Sequence, residues 1–196
     1  MQIVYKSIKV GNNISKSSED LIEYILNISS YEAKLEVIIE SNKTTNKYVL
    51  EQYHLEPNFS KQVVKEPKNI ENLEILYNGN NLEIRNTNLS LSKIYENYDY
   101  LNENILWLNF FIDNYKKNYS VEEENDDEII LNTNIEKYNY KTKLYINKKT
   151  LLPEKIEVLD NNNQIKIYIE YKEIKLNNIR ENNIFAFETK DIRKEV

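Results

Sequence analysis

Residues 31–40 read Tyr31-Glu32-Ala33-Lys34-Leu35-Glu36-Val37-Ile38-Ile39-Glu40, and the alternation in this stretch decides the fold. Tyr31, Ala33, Leu35, Val37 and Ile39 fall on one side of an extended chain, with Glu32, Lys34, Glu36 and Glu40 on the other. A period of two with one apolar and one charged face marks a strand whose sheet is covered on one side and wet on the other. Upstream the period is helical. Ser17 precedes Asp20 by three residues as a capping box, and Leu21, Ile22, Ile25 and Leu26 follow at helical spacing, which predicts a helix over 18–28 with one apolar stripe. Residues 1–16, with a β-like stretch at 3–10, read as an extended lead-in to a single domain over 17–196.

Downstream, hairpins follow one another without intervening helices. Strands are expected at 47–55 and 61–65, ended by Pro57 and Pro67, and at 73–77 and 82–85 around the tight turn Asn78-Gly79-Asn80-Asn81. Residues 89–100 read as a tyrosine-rich connection. Ile105, Leu106, Leu108, Phe111, Ile112 and Tyr115 predict a second helix over 102–116, broad on its apolar side and carrying Trp107 and Phe110. The acidic run Glu122, Glu123, Glu124, Asp126, Asp127 and Glu128 reads as a solvated, self-repelling loop. Strands at 128–133, 140–147, 155–160 and 164–176 complete the pattern, and Ile184-Phe185-Ala186-Phe187 reads as an apolar plug. The expected fold class is α+β: one large curved antiparallel sheet, an open half-barrel, with helices on its concave face.

Composition excludes more than it proposes. The chain has 196 residues with no cysteine, one histidine and two glycines, so thiol chemistry, disulfides, Cys-rich zinc sites and glycine-rich phosphate loops are ruled out. A net charge of −6 provides no basic field for nucleic acid. No run of apolar residues is long enough to span a membrane as a helix. His54, the single histidine, lies in a strand without clustered partners, which favours a structural role over that of a ligand or base. No catalytic residue, cofactor or metal site is expected. Many carboxylates leave a glycan hydrolase open, although nothing singles out a pair.

The order of elements and several short passages resemble the LolA-like lipoprotein carrier fold. Residues 144–156, Leu144-Tyr145-Ile146-Asn147-Lys148-Lys149-Thr150-Leu151-Leu152-Pro153-Glu154-Lys155-Ile156, are similar to that family's strand, turn, "LP" and returning strand. Leu159-Asp160-Asn161-Asn162 is similar to its next hairpin turn without the usual glycine, 171–177 with Ile184 to Phe187 to its closing strand and terminal "F-x-F", and 31–37 to its opening strand. Within the fold, the text rich in Asn, Lys, Ile and Tyr is closest to the clostridial germination lipoproteins, the GerS-like group. That resemblance implies a non-catalytic, membrane-anchored lipoprotein of the developing spore. It would bind and activate or stabilise a zinc-dependent N-acetylmuramoyl-L-alanine amidase that modifies cortex peptidoglycan for germination. The lipobox cysteine is not in this chain, so the anchor is expected on a cysteine upstream. The alternative is a carrier that holds acyl chains in its concave face.

Candidate partner- or lipid-binding residues are Trp107, Phe110 and Phe111 on the second helix, whose apolar face would either pack on the sheet or line a cleft. Tyr48, Tyr53, Tyr145 and Tyr168 join them, because strand tyrosines combine large contact area with a polar tip. Exposed sheet edges also make a homodimer expected.

Overall fold

The computed structural model describes residues 17–98, 104–118, 122–180 and 185. Helix α1 (Ser18–Leu26) is followed by six strands: β1 (Ser30–Glu40), β2 (Thr45–Leu55), β3 (Phe59–Glu66), β4 (Leu73–Asn78), β5 (Leu82–Asn86) and β6 (Leu91–Tyr95). Helix α2 (Leu108–Lys117) then precedes β7 (Glu122–Glu124), β8 (Glu128–Ile135), β9 (Tyr140–Asn147), β10 (Leu152–Leu159) and β11 (Ile165–Leu176). All eleven strands form one open sheet in the order β6-β5-β4-β3-β2-β1-β11-β10-β9-β8-β7. Two meanders therefore meet where β1 pairs antiparallel with β11, with Val37 opposite Ile169. The expected α+β half-barrel, with its helices on the concave face, is the observed architecture.

Each half of the pattern has its local cause. The capping box forms as read: Asp20 N–H donates to Ser17 Oγ at 3.2 Å and Ser17 N–H to Asp20 Oδ2 at 3.2 Å, which satisfies two otherwise unpaired amides at the start of α1. Leu21, Ile22 and Ile25 on α1 and Leu108, Phe111, Ile112 and Tyr115 on α2 bury against the inward residues of the sheet, among them Leu35, Val37, Leu131, Leu144, Ile146, Val158 and Ile169. In the β4–β5 turn Gly79 has φ +93°, a conformation that costs a side chain dearly, and Asn78 Oδ1 accepts from the Asn80 and Asn81 amides.

Three expectations are corrected. The second helix begins at Leu108 rather than 102, because Leu106 N–H bonds back to Asn104 Oδ1 at 3.1 Å and the Ile105–Leu106 pair fills an apolar position from a turn. The connection expected at 89–100 holds edge strand β6, whose residues face both ways without a clean alternation. The acidic run is not a loop throughout. Glu122–Glu124 form edge strand β7, and Lys148 Nζ lies 2.6 Å from Glu124 Oε1 and Lys149 Nζ 2.6 Å from Asp127 Oδ1, which offsets the repulsion. The lead-in at 1–16 and all of the apolar plug except Phe185 lie outside the described residues; the Phe185 ring stands 5.8 Å from that of Phe59.

Candidate functional site

Among the described residues, α1 and α2 pack their apolar stripes into the core on the concave side of the sheet. Trp107, Phe110 and Phe111 are buried in the core against the sheet, and Trp107 has no exposed surface. Tyr48 is half-buried on the same side, opposite Val37, and packs on that core. The start of α2 is tied down by polar groups that sequence reasoning did not single out. Leu108 N–H donates to Tyr31 Oη at 3.3 Å, and Gln52 Nε2 donates to the Leu106 carbonyl at 3.2 Å and to Gln62 Oε1 at 3.0 Å. Trp107, at the N-cap, makes no side-chain cap bond, so Tyr31 on β1 serves as the cap from across the core. The only sequence trace of this network is polar Gln52, His54, Ser60 and Gln62 at inward-facing positions of two strands.

His54 belongs to the same layer. It is buried beneath the Tyr31 ring at 5.6 Å between centroids, with Nδ1 2.9 Å from Ser60 Oγ. Burial pushes its imidazole down to about 4, so it is neutral at ordinary pH.

The convex face carries the other three candidate tyrosines. Tyr145 on β9 and Tyr168 on β11 flank Lys155 on β10, whose ammonium lies 3.9 Å from the first ring centroid and 5.9 Å from the second. Tyr145 Oη donates to Glu157 Oε2 at 2.9 Å, and burial together with that carboxylate raises the phenol above its ordinary range. Tyr53 lies apart, in a depression of about 200 Å³ with Glu32, Glu51 and Lys175. Tyr145 and Tyr168 thus come together, Tyr53 stands two strands away across β1, and Tyr48 joins the core side.

A further feature missed by sequence is the edge at β6, which pairs on one side only among the described residues. Leu89 and Leu91 are 64% and 63% exposed, and Ile94 and Tyr98 are exposed beside them. The unpaired backbone of such an edge, with exposed Leu91 and Ile94 on its two faces, is a ready template for another strand. The acidic edge β7 at the far side of the sheet is of the opposite kind. Among the described residues no group of three or more His, Asp or Glu is placed to hold a metal ion, and no helix is long and apolar enough to cross a membrane.

Comparison with solved structures places the chain among proteins of this open-sheet fold. A conserved protein of Thermus thermophilus matches with a TM-score of 0.55 and 12% identity, covering 89% of this chain and 96% of that one. The complex of the CwlD amidase with the GerS lipoprotein from Clostridioides difficile contains a match with a TM-score of 0.51 and 27% identity, covering 83% of this chain and 98% of that one. A LolA superfamily protein of Nitrosomonas europaea matches with a TM-score of 0.46 and 15% identity, covering 88% and 98%. No curated protein matches the chain. The family model described as sporulation protein YdcC-like matches residues 1–185, and the chain belongs to that family.

Proposed function

We propose that the chain is a non-catalytic adaptor of spore formation that binds a cell-wall N-acetylmuramoyl-L-alanine amidase and activates or stabilises it. The likeness at 27% identity to the GerS chain of a complex with an amidase supports this most directly, together with membership of a sporulation family. On this reading the zinc and the hydrolysis belong to the partner, the product is modified cortex peptidoglycan required for germination, and the protein works outside the cytoplasm on a lipid anchor. The convex tyrosines Tyr53, Tyr145 and Tyr168 supply contact area of the kind interfaces use. Size-exclusion chromatography of the purified chain with the amidase is expected to give one co-eluting peak, and the double variant Tyr145→Ala, Tyr168→Ala is expected to weaken the complex at least about tenfold. Separate elution of the parent proteins would contradict the adaptor reading.

The exposed apolar edge at β6 supports self-association by strand pairing. Light scattering is expected to show a dimer that Ile94→Lys with Leu91→Lys converts to a monomer, since charges on an edge oppose strand addition; a dimer unaffected by both changes would mean that the contact lies elsewhere. Acyl-chain carriage, the alternative function, would require the helices to leave the concave face they fill.

A further inference from the structure

We propose that the depression between α2 and the β8–β9 connection binds one sugar residue of a neutral glycan. The site goes beyond the adaptor reading and does not depend on it. Phe110, Asp113, Asn114 and Lys117 stand at i, i+3, i+4 and i+7 of α2 and so line one stripe of the helix. Ile135 at the end of β8 and the short 3₁₀ turn Glu136–Tyr138 form the opposite wall, and together they enclose about 320 Å³. That volume is at the low end for small-molecule sites and suits a single ring better than a long chain.

The lining chemistry selects the ligand class. Phe110 and Ile135 are buried and give an apolar floor. Asp113 and Glu136 are matched by Lys117 and Lys137, so the charges cancel and neither an anion nor a cation is drawn in preference. Asn114 Nδ2 donates to the Phe110 carbonyl at 2.8 Å and Asn118 Nδ2 to the Asn134 carbonyl at 3.4 Å. Each bond uses an amide N–H, and the carbonyl oxygen of an amide is an acceptor, so Asn114 and Asn118 add acceptor chemistry to the lining. Tyr138 stays 39% exposed at the rim, with Lys137 Nζ 5.4 Å from its ring centroid and the Tyr140 ring 6.4 Å away. An aromatic wall takes the C–H face of a pyranose, while amide and carboxylate oxygens accept from its hydroxyl and acetamido groups. The depression on the convex face is smaller and less suited, because its Glu32 is already held by Lys175 at 2.6 Å.

The test is a ¹H–¹⁵N NMR titration of the full chain with an N-acetylglucosamine trimer. Saturable shifts confined to α2 and residues 135–140 are expected, with affinity reduced at least about tenfold in Tyr138→Ala and in Asp113→Asn. Absence of saturable shifts, or equal binding by both variants, would overturn the proposal. Tyr138→Ala should still co-elute with the amidase, so loss of sugar binding and loss of partner binding are read separately.

Discussion

Replacing Trp107 by alanine is expected to cost the fold about 3–5 kcal/mol, the range for removing a large aromatic from a packed core. The side chain has no exposed surface, lies 6.5 Å from the Tyr31 ring, and sits where the chain enters α2. Its loss would leave a cavity beneath the helix and loosen the Leu108 N–H to Tyr31 Oη bond that caps it. For a chain of this length each kcal/mol is worth roughly 2–4 °C, so a thermal melt followed by circular dichroism should fall by roughly 6–20 °C. A melt that scarcely moves would mean that Trp107 lines an open cleft rather than a filled core, and would favour the acyl-carrier alternative.

The second large effect is on pH dependence. His54 has its pKa lowered from 6.5 to about 4 by burial, so the unfolded chain takes up a proton that the folded chain refuses between those values. Stability from this group is therefore complete above about pH 6.5 and lost as pH falls toward about 4, by about 3 kcal/mol at 1.36 kcal/mol per unit. Carboxylates held low by lysines, such as Glu32 by Lys175 and Glu124 by Lys148, contribute stability that is lost only as pH falls through their own range at or below 4.5. The interval between about pH 6.5 and 5 thus isolates the imidazole. Urea unfolding of the parent chain should show stability falling with acid across it, and His54→Gln should remove most of that slope. An unchanged slope in the variant would mean that His54 is not the group responsible.

Much of the architecture was legible because strand residues have only two faces. The alternation at 31–39 gave β1 its inward set Tyr31, Ala33, Leu35, Val37 and Ile39; the first four are buried, and Ile39, towards the strand's end, is partly buried against the same core. The strand expected at 140–147 has those bounds in the structure. The edges were illegible for a physical reason: β6 and β7 each pair on one side only among the described residues, so Leu91 to Tyr95 and Glu122 to Glu124 need no clean apolar face. Helix α2 began late because local bonds at Asn104 compete with helical ones, which periodicity does not register. The candidate aromatics Trp107, Phe110 and Phe111 were recognisable as an apolar face, but only packing placed them inside. The Tyr31–Gln52–Gln62 network joins residues from three strands, and no local spacing announces it.

On the adaptor reading, a filled half-barrel without catalytic machinery of its own acts through a partner. Release of peptide from purified peptidoglycan by the amidase, measured with and without this chain, tests that reading at its root. No release is expected from the chain alone, and the mixture should work at a rate well above that of the amidase alone. Release by the chain alone, or a rate unchanged by its addition, would contradict it.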